Sequence, residues 1–299
     1  MKPAFRLFPL VIVLALLRCV PPAFSQEANQ AALVPPSSQT ALQEIATKVA
    51  HKADKAGCGS AKCVLLVTDF YTSQEATSRL GLKLSNEFAL LLSKALPAGT
   101  VVDRSTYRQF MDRNRIPLAY LRTDDAQRWL GKELKATTVV WAEITSVDGR
   151  DATTFNVVNA ERPKGGGPVK ATLPPLVYRV EDLHPVEPFS PLGKIQNPRE
   201  GQTVFQVDGT EIKSGSCQYM PNPPFTDAAR AAHLSGVITV DAVITTDGKP
   251  EGARVRRGLP YNLNDAALHV IDTWRCKPGL KDGQPVATEV MFEVNFRMY

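Results

Sequence analysis

Histidine is scarce and scattered. His51, His184, His233 and His269 lie far apart in the 299-residue chain. No His-Glu-x-x-His, Gly-x-Ser-x-Gly or Gly-loop ending in Lys-Ser/Thr occurs. Their absence removes the usual metalloprotease, hydrolase and nucleotide signatures, so the expectation is no enzyme, no cofactor and no metal. A strong charge of one sign is also missing. The formal net charge is +5, and loss of Lys2, Arg6 and Arg18 with the first 25 residues leaves 32 basic against 30 acidic residues, or +2. Nothing there calls for nucleic acid. No apolar run near the N-terminus is long enough to span a bilayer. Leu7–Leu17 is interrupted by Arg18, where a spanning helix needs roughly 20 apolar residues.

What is there at the N-terminus reads as an export signal over 1–25. Lys2 and Arg6 form a basic start, the apolar run follows, and Ala23-Phe24-Ser25 offers small residues ahead of a cut before Gln26. An uncleaved anchor is the competing reading. A lipoprotein site at Cys19 is disfavoured by Arg18 in front of it. Four cysteines then remain, Cys58, Cys63, Cys217 and Cys276. An even number in an exported chain favours disulfides. Three pairings are open. The local pairs Cys58–Cys63 and Cys217–Cys276 keep each bridge inside one proposed domain, and the second would be worth roughly 4 kcal/mol by loop closure. No histidine stands at zinc-ligand spacing from either pair.

Residues 26–39 read as a flexible lead-in. Thr40 to His51 has helical spacing, and Cys63 to Phe70 is a strand-length apolar run without alternation, as for a strand covered on both faces. Leu80, Leu84, Phe88, Leu91 and Ala95 make an amphipathic helix stopped by Pro97 and Gly99. Thr100–Asp103 is a short strand, Ser105 is the expected cap of the next helix, and Asp103-Arg104 reads as a corner with a local ion pair. A helix opening at Thr123, with Asp124-Asp125 at its N-terminus, and a β-branched strand at Thr137–Thr145 follow. Ala152 to Val158 offers one more strand. Strands alternating with helices imply a layered α/β domain over 40–160. The pieces Val64–Phe70, Val101-Val102-Asp103-Arg104 and Leu130-Gly131 ahead of Thr138–Ile144 resemble the domain family shared by the CsgG outer-membrane secretion protein, FlgO-type flagellar lipoproteins and the N-terminal part of TolB. That family usually shows glycine where Ala142 sits.

Between 161 and 214 proline and glycine are dense, including Gly165-Gly166-Gly167 between Pro163 and Pro168. Proline at this density opposes sheet and helix interiors, so a semi-extended spacer is expected. Leu176–Tyr178 and Val204–Val207 are apolar pieces able to dock on a neighbouring domain.

The pattern sharpens over 215–299. Thr226 caps a short helix through Ala229 and Ala232, and Gly236 ends it. Val237–Thr246 alternates, Asp247-Gly248 is a hairpin turn, and the return strand runs near Gly252–Arg257. A second helix carries Leu263, Ala267, Val270, Ile271 and Trp274. The last strand places Val290, Phe292, Val294 and Phe296 on one face. The α+β expectation is helix, hairpin, helix, strand, with two helices on a three-stranded antiparallel sheet. The run Ala229-Arg230, Gly236-Val237-Ile238, Asp247-Gly248, Ala266-Ala267, Trp274-Arg275-Cys276-Lys277-Pro278, Asp282–Val286 and Phe296 resembles the TonB C-terminal family. Cys276 replaces the aromatic residue that the family carries after Trp-Arg.

The resemblance implies capture of an extended segment of an outer-membrane transporter or envelope protein by strand addition to the edge of the last strand. The implied partner-binding residues are Pro224 and Phe225, a loose counterpart of the family's Gln-Tyr-Pro element, with Val290, Phe292, Val294 and Phe296. A periplasmic protein linked to transport across the outer membrane is the reading, membrane-associated through its partner or an uncleaved N-terminus. The alternative is an assembly or secretion accessory of CsgG or TolB type, forming a homo-oligomer through 40–160, with the C-terminal unit as docking module. Arg254, Arg256 and Arg257 read as a solvated hairpin face, with an acidic partner or lipid as the competing role.

Overall fold

The structure, a computed structural model, describes residues 36–298 apart from 56–62, 74–75, 148–149, 163–165, 174–179, 187–188, 196–198, 200, 208 and 210. The export signal, Cys19, Cys58 and Leu176–Tyr178 lie outside the described residues. Helix α1 (Pro36–Ala53) starts earlier than expected, taking in 36–39 of the predicted lead-in; proline suits the first helical turn, where its missing N–H costs nothing. Strands β1 (Val64–Val67), β2 (Tyr71–Ser73) and β3 (Ala76–Thr77) follow, then α2 (Arg79–Ala95), β4 (Thr100–Val101), α3 (Arg104–Asn114) and α4 (Asp124–Glu133). The hairpin β5 (Thr138–Val147) and β6 (Arg150–Asn159) leads into β7 (Gly166–Thr172).

One sheet holds all seven of these strands. β4, β1 and β5 run parallel, and β2 adds beside β5 beyond the end of β1. β6 and β7 extend the other side antiparallel. The unbroken apolar run of β1 is explained by its two faces. Leu65 and Val67 meet α1 and α2, while Leu66 points into a second core with α3 and α4, and all three are buried. Ser78, whose hydroxyl accepts from the Gly81 amide, caps α2. The cap of α3 is Asp103 and not Ser105: its carboxylate accepts the Ser105 N–H at 2.7 Å. Likewise Thr123, not the aspartates after it, caps α4 and leaves Asp124 and Asp125 in its first turn.

β7 corrects the spacer reading of 161–214. Proline is tolerated because β7 is an edge strand. Gly166 is required there, because φ is +114° and a Cβ would sit 1.9 Å from the Val157 carbonyl oxygen. The remaining spacer contributes β8 (Val204–Gln206) and β9 (Ile212–Lys213), and the C-terminal unit opens with β10 (Cys217–Tyr219). The C-terminal part adds α5 (Asp227–Ala231), β11 (Gly236–Ile244), β12 (Pro250–Arg257), α6 (Leu263–Ile271), β13 (Arg275–Cys276), β14 (Gly279–Lys281) and β15 (Gln284–Phe296). The expected three strands are adjacent in the order β12-β11-β15, but the sheet is six-stranded, because β14, β9 and β8 join it.

The two halves share one core. Tyr107, Met111, Ile116 and Leu130 cluster with Ala229, Ile238, Leu259 and Phe296. Polar bonds seal the seam: Asn264 Nδ2 donates to the Asn114 carbonyl at 2.8 Å, and Trp129 Nε1 to Asn262 Oδ1 at 3.0 Å. A Cβ on Gly258 would approach the Asn114 oxygen to 2.0 Å, so the chains meet there only because the side chain is hydrogen.

Candidate functional site

β15 is the element on which the binding expectation rests. Its alternation puts Val294 and Phe296 into the core, 3% and 1% exposed. Phe296 meets Phe225 edge-on at 5.3 Å, and Phe292 meets Trp274 at 5.0 Å. Val290 and Phe292 are half-buried, Phe225 is half-buried and Pro224 is exposed. Phe225, Phe292, Val294 and Phe296 therefore pack against their own domain, while Pro224 is left exposed. What β15 can offer a partner is backbone.

One margin of β15 pairs with β11 from Thr288↔Ile244 to Phe296↔Gly236. The opposite margin is divided. Gln284–Val286 pairs with β14, and Ala287–Glu289 pairs in parallel with Val204–Gln206 of β8. The strand is thus interior at Thr288 and Glu289, not an edge throughout, because an apolar piece of the proline-rich segment lies alongside it. Val290–Phe296 has no strand on that margin among the described residues.

The surroundings of this margin are charged. Asp241 on β11 is 1% exposed, accepts from Arg256 at 2.8 and 2.9 Å and lies 3.6 Å from Arg254. Arg254 also reaches Glu289 at 3.8 Å. Two of the three hairpin arginines thus neutralise a buried carboxylate and are not merely solvated. The bond to Asp241 holds the Arg256 guanidinium above its ordinary pKa. Ahead of β8, Arg199 bonds Glu251 at 2.5 Å and Asp247 at 3.0 Å, which clips the incoming segment to the β11–β12 turn. A hydrogen bond from Thr245, then one from Arg199, pulls the Asp247 carboxyl down to about 2. Cys217 and Cys276 form a disulfide across the β10–β13 pair. Cys63 is also disulfide-bonded, while Cys58 lies outside the described residues.

The expected Asp103–Arg104 ion pair does not form. Arg104 instead reaches the buried Asp69 at 2.5 Å, with Arg108 on the same oxygen at 2.8 Å. It also donates to the Val67 carbonyl and Asn86. The guanidinium is thus held at the carboxyl end of β1. Burial raises the Tyr107 hydroxyl beside it. Asp69 lay in plain view in the run Thr68-Asp69-Phe70, where one acid at the end of an apolar strand signals a buried partner.

Among the described residues no group of three His, Cys, Asp or Glu could hold a metal ion, and no helix is long and apolar enough to cross a membrane. Residues 221–298 match the family described as Gram-negative bacterial TonB protein C-terminal. Similar solved structures include the LpoB C-terminal domain from Salmonella enterica, 14% identical, covering 46% of this chain and 97% of that one at TM-score 0.35. The Pseudomonas aeruginosa TonB C-terminal domain is 22% identical, covering 32% and 96% at TM-score 0.24. Lipoprotein GNA1162 from Neisseria meningitidis is 13% identical, covering 37% and 79% at TM-score 0.27. No curated protein matches the chain.

Proposed function

We propose that the TonB-type C-terminal domain formed by residues 221–298 makes this chain an envelope adaptor, which takes an extended partner segment onto the free margin of β15. The observation that carries the reading is the bare stretch Val290–Phe296, paired with β11 on one side and with no described strand on the other. Main-chain hydrogen bonds supply affinity for an added strand, and its alternate side chains lie over both faces of the sheet. The partner is an outer-membrane transporter or another envelope protein, the role is binding and not catalysis, and the setting is the periplasm. An export signal over 1–25 supports that setting. A photo-crosslinking residue in place of the exposed Asn295 should capture an envelope protein that the same residue at Lys48, on the exposed side of α1, does not. Equal capture from both positions would sink the reading.

The second reading, an assembly or secretion accessory, is favoured by the core shared between the two halves. A docking domain fused so tightly would orient the α/β part against whatever β15 holds. Defined oligomers of the full chain on partner binding would support it, and a one-to-one complex would oppose it.

A further inference from the structure

Where β8 ends, the bare margin of β15 begins. Gln206 and Glu289 are the last pair of the two strands, and their side chains are hydrogen-bonded. A partner strand laid on Val290–Phe296 cannot continue straight past this point, because β8 occupies the next positions. It must leave the sheet margin here. Both Gln206 and Glu289 line a groove of about 590 Å³, whose walls carry Arg115, Lys194, Arg254 and Arg256.

Among the described residues the charges of this groove do not balance. Its four cations stand against one lining carboxylate, Glu289, and the buried Asp241, and both carboxylates are already engaged by the β12 arginines. Arg115 is the sharpest case. It is 6% exposed, its guanidinium donates to the Ser190 carbonyl (3.0 Å from Nη1) and lies 5.3 Å from the Phe189 ring. Its Nε has no partner among the described residues. The nearby Asp112 is spent on the Ser190 amide and hydroxyl, at 2.7 and 2.8 Å. Lys194 is exposed and has no acidic partner among the described residues. A buried guanidinium without a counter-charge is costly, and a carboxylate supplied from outside relieves that cost.

We infer that this groove recognises carboxylate side chains in the flank of the partner peptide, next to the stretch that adds to β15. The inference rests on the strand-addition reading and specifies the chemistry of the peptide. Strand pairing holds any alternating sequence, and the groove selects those with acidic residues at the end that meets β8.

The test uses the full chain with two short fluorescent peptides, one alternating valine and glutamate, the other valine and glutamine. At low salt the glutamate peptide should bind about tenfold more tightly, an advantage that shrinks as salt screens it. Lys194→Glu, at an exposed position, should abolish most of that advantage. Arg115→Met should reduce it, with a thermal melt confirming that the variant folds. Equal binding by the two peptides overturns the inference, as does no binding of the glutamate peptide or an advantage that survives Lys194→Glu. If the glutamine peptide binds and glutamate adds nothing, strand addition stands and the groove assignment falls. If phosphatidylglycerol vesicles capture the chain through Lys194 while glutamate adds nothing, the cations serve a lipid surface and the inference also falls.

Discussion

The two ends of β15 are built from the same kind of alternating sequence yet have opposite fates. From Gln284 to Glu289 the strand pairs with β14 and then β8, and at Thr288 and Glu289 with β11 as well. From Val290 to Phe296 it pairs with β11 alone among the described residues. The difference does not come from the strand. Both ends bury one face; Ala287 and Val294 are each 3% exposed. It comes from where the proline-rich segment happens to run. Covering an edge is thus a property of neighbours, and an alternating pattern read along one strand says which side chains are buried without saying whether the backbone beside them is free.

The strongest way to break the comparison is through the core that both ends share. Phe296→Ala should cost about 3–5 kcal/mol in a denaturant melt, whereas Met291→Ala on the same strand should cost roughly 0.5 kcal/mol or less; Phe296 is 1% exposed and Met291 59%. Similar costs would mean that the bare end does not face the core. Next comes the staple ahead of the closed end. Cys217→Ser with Cys276→Ser opens a disulfide spanning 59 residues and should cost about 2–4 kcal/mol. A melt unchanged by the double substitution would show the bridge to be dispensable. A smaller effect isolates β8. Phe205→Pro should cost about 1 kcal/mol and should expose to hydrogen exchange those amides of Ala287–Glu289 that point at β8, making the closed end resemble the bare one. Protection that persists there would show that β8 is not what covers the margin.

Much of this was legible along the chain. The helix spacing of α2, the Thr226 cap, the Asp247-Gly248 turn and the alternation of β15 depend on neighbours within a few residues, and local pattern reports those. Val204–Val207 had the look of a docking piece, but its target is set by packing 83 residues away in sequence, which spacing does not encode. β7 was obscured by counting Pro168 against a strand when only an interior strand forbids it. Asp103-Arg104 suggested a pair because they are neighbours, whereas the Arg104 side chain turns to Asp69, which folding brings to 2.5 Å. Arg115 gave no sign at all: its isolation from carboxylates exists only once α3, the 189–194 segment and β12 meet.

The gentlest probe acts on the clip ahead of β8. Asp247 is ordinarily a group of pKa 3.8 and in the folded chain falls to about 2. A carboxyl whose folded pKa is depressed stabilises the fold fully above its unfolded value and loses that contribution as pH falls through the folded one. The contribution of Asp247 should therefore be complete above about pH 4 and gone below about pH 2. Asp247→Asn removes it at every pH, together with the charge that holds Arg199. The melting temperatures of the wild type and this variant should differ slightly at pH 5 and converge toward pH 2, with the wild type doing the moving. Because Asp247 and Arg199 are largely solvated, the gap should also narrow in high salt. A gap that stays constant across the acid range would mean that the carboxylate contributes nothing as a charge. Arg199 would then be held by Glu251 alone, and the segment carrying β8 would be anchored independently of the turn.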